Sequence, residues 1–498
     1  MRIVLRGSTG LPIGHAAALA RDRRKGRFVG HSMAKITGPN AFAARYARRS
    51  SARWITAATA AMSASSAFSP SPSAASAFYV RDQSASSLAN AHAGATADAE
   101  DLTYMFFNGA ALAGVPSSGV AMLGTFTHAH ARFDDGRASN ALGSPIGGGN
   151  SDGGGNTLVP ALYGAWKLDE TFTQLADVVL GLAINAPFGF ETEYDEDWIG
   201  RYHAVQSRLR TIDFNPVIAY RPIDGLSIAA GLQVEYVDAK LTSALDFGSL
   251  GAANGVPGAQ PGAQDGFAKL TGDDWGYGWT AGLLFEPLPG TRLGLSYRSA
   301  VHQQLKGDTR VRLDDAGVGA ALGVKPGTTA ARAKLTLPEV IGIGLYQDLP
   351  HGWAVMADVT WTRWSRYREL RISVSDPAKP DDVTEEDWRD TWSFSAGATY
   401  RPSEDWALRT GIGYDQSPTR NKTRTPRTPS NNGLLIALGA SYQAAPNIGF
   451  SVGYGHYFIE SARIGLAADE PGNAARGNLS GSSHNGVDML ALQVNWSF

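Results

Sequence analysis

Apolar and polar residues alternate along the last nine residues of the chain. Every second residue is apolar and the residues between them are small or polar, and the apolar set is Leu490, Leu492, Val494, Trp496 and Phe498. A period of two places successive side chains on opposite faces of a β-strand. A strand that ends on a free aromatic carboxy-terminus is typical of bacterial outer-membrane barrels, but a half-buried strand of a soluble protein gives the same local pattern.

The same alternation recurs in earlier segments and favours the membrane barrel. It is present in residues 275–285, 293–297, 353–361 and 406–414. Tryptophan and tyrosine stand at the ends of these segments, where an aromatic girdle at the membrane surface would place them. In a soluble sandwich the aromatic residues would scatter instead.

The alternation and the turn residues between segments predict about fourteen antiparallel strands, an even number that suits a bacterial barrel. Strands running outward are predicted near residues 118–128, 177–190, 226–241, 291–306, 352–372, 405–417 and 447–460. Strands running back are predicted near residues 156–167, 205–221, 275–286, 331–347, 391–401, 433–443 and 486–498. Short and long connections alternate, so the long loops are expected outside the cell.

Composition supports this fold mainly by what it excludes. The chain has no cysteine, 58 glycines and only 18% charged residues. The sequence contains no run of ~20 apolar residues, which a transmembrane helix needs. A closed barrel is then the structure that can cross a membrane without an unpaired sheet edge.

Residues 1–77 are predicted to be a targeting segment. Arginines at 45–53 precede a short apolar stretch at 54–68 and the small residues Ala75, Ser76 and Ala77, the order found in a signal peptide. Such a signal is unusually long from Met1, and Met33 is an alternative start. This segment carries 12 Lys or Arg against one acidic residue, and the remainder has a formal charge of about −13, which argues against nucleic acid as a partner.

The stretch that follows resembles a known family. Residues 78–112, FYVRDQSASSLANAHAGATADAEDLTYMFFNGAAL, are similar to the amino-terminal hatch of the FadL family of outer-membrane long-chain fatty acid transporters. Six further segments resemble the family in the same order: residues 185–205, 272–286, 291–299, 337–340, 359–365 and 408–418. The resemblance covers the chain from Phe78 to Phe498.

The resemblance implies an all-β fold: a transmembrane antiparallel β-barrel of about 14 strands, residues 116–498, whose lumen is plugged by an N-terminal hatch, residues 78–115. A plug argues against an open porin. The expected hatch residues are Phe78, Phe106, Phe107, Asn108, Gly109 and Ala110. The family usually has Asn-Pro-Ala where this chain has Asn108, Gly109 and Ala110, so the rigidity that proline would give is in question.

A lateral gate is expected at Pro187. Proline lacks the N–H that a sheet needs, so it favours a kink or gap in a closed wall. In the FadL family the third strand carries an inward kink through which an apolar ligand leaves into the membrane. The resemblance assigns this role to Asn185, Pro187, Phe188 and Gly189. From spacing alone, Pro187 could equally end the strand at the outer rim.

The resemblance also assigns a ligand site. Arg371 matches a basic position near the ligand in the family, and Lys240 lies at a similar height, so both are predicted to contact a carboxylate head group. The alternative for each is a rim charge that faces solvent or lipopolysaccharide.

Transport of a hydrophobic compound, most simply a long-chain fatty acid, is therefore the function that the resemblance implies. Uptake of monoaromatic hydrocarbons is the alternative within this class, and an enzyme or adhesin on a barrel scaffold is the alternative outside it. The sequence has no GxSxG, no metal-spaced histidine pair and no phosphate loop, so neither catalysis nor a cofactor or metal is expected. The expected setting is the bacterial outer membrane, as a monomer in contact with outer-membrane lipid and lipopolysaccharide.

Overall fold

The computed structural model describes residues 77–168, 177–375, 381–470 and 472–498. The predicted targeting segment up to residue 76, with its alternative start at Met33, lies outside the described residues.

The strands form one closed antiparallel barrel. β1 pairs with β21 over residues 119–139 and 478–497 and closes the ring. The wall has the fourteen barrel strands that the sequence predicts. Several of them are interrupted, so the structure contains 21 strand segments. The segments are β1 Gly119–Ser139, β2 Ser151–Asp152, β3 Gly155–Lys167, β4 Val178–Asn185, β5 Gly189–Glu193, β6 Gln206–Ile223, β7 Leu226–Asp246, β8 Asp265–Leu288, β9 Thr291–Arg298, β10 Val301–Arg312, β11 Gly327–Leu337, β12 Val340–Leu349, β13 Trp353–Thr362, β14 Glu369–Val374, β15 Asp382–Glu385, β16 Thr391–Tyr400, β17 Trp406–Asp415, β18 Gly433–Ala445, β19 Ile448–Ile459, β20 Ala462–Leu466 and β21 Asn478–Ser497.

The outer face of the barrel is apolar, as the alternation predicts. On β21, Leu492 is 58% exposed whereas the adjacent Gln493 is 2% exposed and faces the lumen. The same pattern repeats on the other barrel strands, and Trp275, Tyr277 and Trp279 are all exposed on β8. No helix in the described part of the chain is long and apolar enough to cross a membrane.

Short turns lie at one end of the barrel and long loops at the other. The turns between β6 and β7 and between β8 and β9 contain Gly225 and Gly290, whose φ angles of 74° and 78° are readily adopted only by glycine. The long loops include the short helices Phe247–Ala253 and Val318–Ala321. The loop end is the extracellular end of such a barrel.

The amino-terminal residues before β1 fold inside the barrel. They form the helix Ala85–Ala89 and the 3₁₀ helices Leu102–Phe106 and Gly109–Gly114, each capped by a side chain. Wall glycines let this backbone approach closely: a Cβ on Gly294 would lie 1.9 Å from the carbonyl oxygen of Thr96, and one on Gly411 would lie 2.1 Å from that of Asn90. The lumen is therefore filled by the hatch.

Candidate ligand cavity and lateral opening

Asn108 attaches the hatch to the barrel wall. Its amide nitrogen donates hydrogen bonds to the carbonyl oxygens of Thr96 in the hatch (2.7 Å) and Leu283 in β8 (3.0 Å). Its amide oxygen accepts a hydrogen bond from the backbone N–H of Ala110 and caps the following 3₁₀ helix. One buried side chain thus connects two parts of the hatch to the wall.

The wall explains the glycine that replaces the family's usual proline. Gly109 is the first residue of the 3₁₀ helix Gly109–Gly114, a position where proline is normally accepted. Here a Cβ would lie 2.9 Å from Cγ1 of Val217 and 3.2 Å from Cβ of Ala229. Glycine lets the hatch lie directly against β6 and β7.

We expect Gly109→Ala to destabilise the hatch. The new methyl group must displace Val217, and overpacking of this kind costs about 1–3 kcal/mol. The midpoint of thermal unfolding in detergent should fall. Gly465→Ala is the matched control, because a Cβ there has no heavy atom within 4 Å. An equal shift in both variants would contradict the packing argument.

Phe78 lies at the centre of an aromatic cluster in the upper lumen. Its ring centroid is 4.6 Å from that of Trp364 and 5.4 Å from that of Trp388. Phe190, Tyr367 and Phe188 complete the cluster at 5.7, 6.1 and 6.2 Å. Phe78 is buried. The start of the hatch therefore completes an aromatic layer beneath the extracellular loops, here called the aromatic floor.

Above this floor is a largely apolar cavity with an empty volume of about 780 Å³, counting its open mouth. Its apolar lining comes from the floor and from inward-facing residues of the outer strands: Phe78, Phe190, Leu209, Ala239, Leu241, Leu270, Leu305, Ala331, Ala333, Leu335, Tyr367 and Leu370.

Arg427, Thr428 and Glu386 provide buried polar groups in this cavity. Arg427 is 9% exposed and donates a hydrogen bond to Ser207 Oγ at 2.9 Å. Burial, together with nearby Arg476, lowers the pKa of Arg427 to about 10, so it stays cationic at neutral pH. The buried hydroxyl of Thr428 makes no hydrogen bond within the described structure.

Burial favours the neutral form of Glu386. Burial raises the pKa of its carboxyl to about 8, although a hydrogen bond from Trp388 and the charge of Arg427 lower it. The cavity therefore combines an apolar lining with the buried cation Arg427, and Arg208, Arg332 and Lys334 also border it. This arrangement is suited to an apolar tail with an anionic head.

Arg371 and Lys240 do not line this cavity. In β14 the lining residue is Leu370, and the next side chain, Arg371, is exposed and forms ion pairs with Glu369 (2.7 Å) and Asp381 (3.2 Å). In β7 the lining residues are Ala239 and Leu241, which flank Lys240. Both predicted head-group residues thus face away from the cavity.

The buried polar residues of the cavity, which sequence reasoning missed, lie on loops. Arg427 and Thr428 belong to the segment 416–432, which folds into the barrel mouth, and Glu386 belongs to the loop before β16. The sequence signal that could have indicated an inward-facing loop is the pair Trp364 and Trp388. Both tryptophans lie between strands rather than at girdle positions.

The predicted break at Pro187 is present. β4 ends at Asn185 and β5 begins at Gly189. The hatch supplies the hydrogen bonds that the wall lacks here: Val80 N–H donates to the carbonyl of Pro187 (2.8 Å), and Gly189 N–H donates to that of Phe78 (2.9 Å). The buried amide of Asn185 has no partner for either of its polar atoms in the described structure.

The break leaves a window in the wall. β3 and β4 pair only over residues 162–167 and 179–184, and no strand of the described residues pairs with residues 155–161 of β3 on that side. The window is closed above by a hydrogen bond from Glu193 N–H to the carbonyl of Gly153 (3.1 Å). Phe188 and Phe190 of the aromatic cluster stand beside it.

A second cavity of about 460 Å³ lies deeper in the lumen. Tyr79, Phe106 and Phe107 line it from the hatch, and Arg298 contributes a buried charge from β9. The rings of Phe106 and Phe107 pack edge to face at 5.0 Å, and Phe106 is 6.4 Å from Tyr79. The segment Phe78–Tyr79 thus contributes to both cavities.

The barrel and the hatch agree with a comparison of sequences. The profile of the family described as outer membrane protein transport protein (OMPP1/FadL/TodX) matches residues 66–498. The chain belongs to this family. The long-chain fatty acid transport protein of Escherichia coli O6:H1 is 29% identical over 337 residues, which cover 64% of this chain and 73% of that protein.

Solved structures share the fold. A FadL homologue from Pseudomonas aeruginosa has a TM-score of 0.76 at 21% identity, covering 85% of this chain and all of the other. The toluene transporter TodX from Pseudomonas putida has a TM-score of 0.64 at 17% identity, with the same two coverages. The chain is thus an outer-membrane protein of a family that transports hydrophobic compounds.

Proposed function

We propose that this FadL-family barrel takes up long-chain fatty acids and releases them sideways into the outer membrane. The observation that carries the proposal is the upper cavity, which joins an apolar lining to the cationic Arg427. A hydrocarbon chain gains roughly 0.8 kcal/mol for each CH₂ that leaves water, so an apolar lining and one basic group are sufficient.

The route runs from the cavity to the window beside β3. Phe78 and Phe190 belong to both the cavity lining and the aromatic cluster, and Phe188 of that cluster is part of the strand break. Because hatch residues 78–80 hold the break by backbone hydrogen bonds, movement of the hatch start frees the window. An apolar ligand then reaches the membrane without crossing water. No catalytic step belongs to this function.

Monoaromatic hydrocarbons are the second candidate. The edge-to-face rings around Phe78 offer a site for a small aromatic molecule, and the related fold of TodX is that of a toluene transporter. The charge of Arg427 favours the fatty acid, because toluene has no group for it to bind.

Binding of oleate and toluene to the purified protein, measured side by side, tests the proposal. We expect oleate to bind more tightly, and cells that lack their own transporter to take up oleate when they express this chain. Saturable toluene binding with no oleate binding would overturn the fatty acid assignment.

Oleate affinity should fall as the pH rises from 7 to 9. Glu386 is protonated below its pKa of about 8 and becomes anionic above it, next to the site of the ligand carboxylate. The added negative charge should weaken oleate binding about fivefold and leave toluene binding unchanged. In Glu386→Gln the dependence should disappear, and an unaltered dependence in that variant would assign it to another group.

A further inference from the structure

One sector of the outer barrel surface carries a cluster of basic side chains. The outward positions in the extracellular parts of β7, β8, β10 and β11 include six lysines and arginines, here called the basic sector: Lys240, Lys269, Lys306, Arg310, Arg332 and Lys334. These residues alternate with inward cavity residues such as Leu305 and Leu335, and the exposed Arg332 and Lys334 also border the upper cavity. All but Lys240 are exposed.

The strand register brings like charges together. Lys269 lies directly opposite Arg310, and Lys306 lies directly opposite Arg332. Side chains in such cross-strand pairs are about 5 Å apart at Cβ, and like charges there destabilise a sheet.

The described carboxylates form no ion pair with the basic sector. Asp273 and Asp308 lie on the same surface, but within residues 177–375 no carboxylate oxygen is within 4.0 Å of any basic-sector nitrogen. The nearby Asp238 instead forms ion pairs with Arg208 and Arg210 at 3.0 and 2.8 Å. The excess positive charge calls for an anion from outside the chain.

The basic sector begins just above the membrane surface. Tyr236 and Trp275 lie opposite each other at the top of the apolar band, with ring centroids 5.2 Å apart. The next outward residue on β8 is Asp273, about 7 Å further along the strand, and Lys306 is directly opposite Asp273. The lowest charges of the sector are therefore at the height of lipid head groups.

The opposite wall differs at this height. Phe126 and Leu490 face outward as cross-strand partners, and the next outward pair is His128 and Asp488. Asp488 accepts hydrogen bonds from the hydroxyl of Tyr454 (2.6 Å) and from His456 (2.8 Å). At this height the β1–β21 wall carries a histidine–aspartate pair where the β7–β11 side carries Lys306.

We propose that the basic sector binds the phosphate groups of lipid A, the anchor of lipopolysaccharide in the outer leaflet. Phosphate oxygens form strong charge-assisted hydrogen bonds with lysine and arginine. Four neighbouring strands about 4.8 Å apart spread the basic groups over a width that serves more than one phosphate. The acyl chains of the same molecule pack on the exposed Trp275 and Tyr277 below. This inference holds whichever hydrophobic compound the barrel carries.

The test compares lipopolysaccharide retained by the purified barrel, counted by native mass spectrometry. The variant carries Lys269→Gln, Lys306→Gln, Arg332→Gln and Lys334→Gln. The matched control carries Arg132→Gln and Arg463→Gln, two exposed positions on the other side of the barrel. Each basic group near an anionic lipid surface contributes about 1 kcal/mol, so retention should fall at least about tenfold in the variant. The control should match the wild type.

Three further measurements make the result decisive. Heat-modifiable migration on a gel checks that the variant still forms a barrel, and a Lys269→Arg and Lys306→Arg variant should retain the lipid. Rebinding of dephosphorylated lipopolysaccharide should be weak. Equal retention by the glutamine variant, equal binding of dephosphorylated lipopolysaccharide, or equally tight binding of phosphatidylglycerol vesicles would each overturn the proposal.

Discussion

A disulfide between the hatch and the strand break should reduce ligand uptake to background. Tyr79 and Phe188 are partners in an isolated antiparallel bridge, and such partners have the Cα separation that a disulfide needs. The chain has no cysteine, so Tyr79→Cys with Phe188→Cys introduces a single reactive pair. Oxidation fixes residues 78–80 across the window, and a reductant should restore uptake in the same cells.

The control for this experiment is a disulfide elsewhere in the wall. Val452 and Leu492 are exposed cross-strand partners in β19 and β21, which are already paired continuously. Val452→Cys with Leu492→Cys should leave uptake unchanged in both redox states. Oxidised Tyr79→Cys, Phe188→Cys protein that still transports at the reduced rate would rule out release at this window. Loss of uptake in the control would show that general stiffening is responsible.

The alternation of side chains predicted most of the barrel because lipid and lumen act on alternate residues of every strand. β3 was predicted at 156–167 and spans Gly155–Lys167, and β17 was predicted at 405–417 and spans Trp406–Asp415. The prediction for β8 began at 275, whereas the strand begins at Asp265. Its first ten residues stand above the membrane, where Lys269 and Asp273 face outward and the apolar stripe is absent.

The breaks in the wall were harder to predict. Pro187 signalled one of them because it removes a backbone N–H, but its hatch partners lie about a hundred residues earlier in the chain. The strand predicted at 352–372 is interrupted by the 3₁₀ helix Trp364–Arg366, which turns Trp364 into the lumen. An aromatic residue between strands looks the same in sequence whether it faces lipid or the lumen.

The cavity could not be assembled from the sequence because its buried polar groups come from loops. The segment 416–432 is rich in threonine, arginine and proline, a composition equally suited to a solvated loop. Only its return into the barrel mouth buries Arg427. Arg371 was predicted by resemblance to contact the ligand head group, but alternation within β14 directs its side chain outward.

Replacing Arg427 should have the largest effect on fatty acid affinity. Arg427→Gln removes the buried positive charge, and losing one partner of a buried charge pair costs 2 kcal/mol or more. Oleate should therefore bind at least about 30-fold more weakly, as isothermal titration calorimetry would measure. Toluene makes no charge contact, so its affinity should stay within about twofold of wild type.

Arg371→Gln is the matched control, because Arg371 is an exposed arginine next to the lining residue Leu370, faces away from the cavity and has its own acidic partners. It should bind oleate as the wild type does. A parallel loss of oleate and toluene in Arg427→Gln would mean that the loop had moved, since Arg427 also bonds to Ser207. Loss of oleate binding in Arg371→Gln alone would place the carboxylate at the outer rim, and the apolar cavity would then receive only the tail.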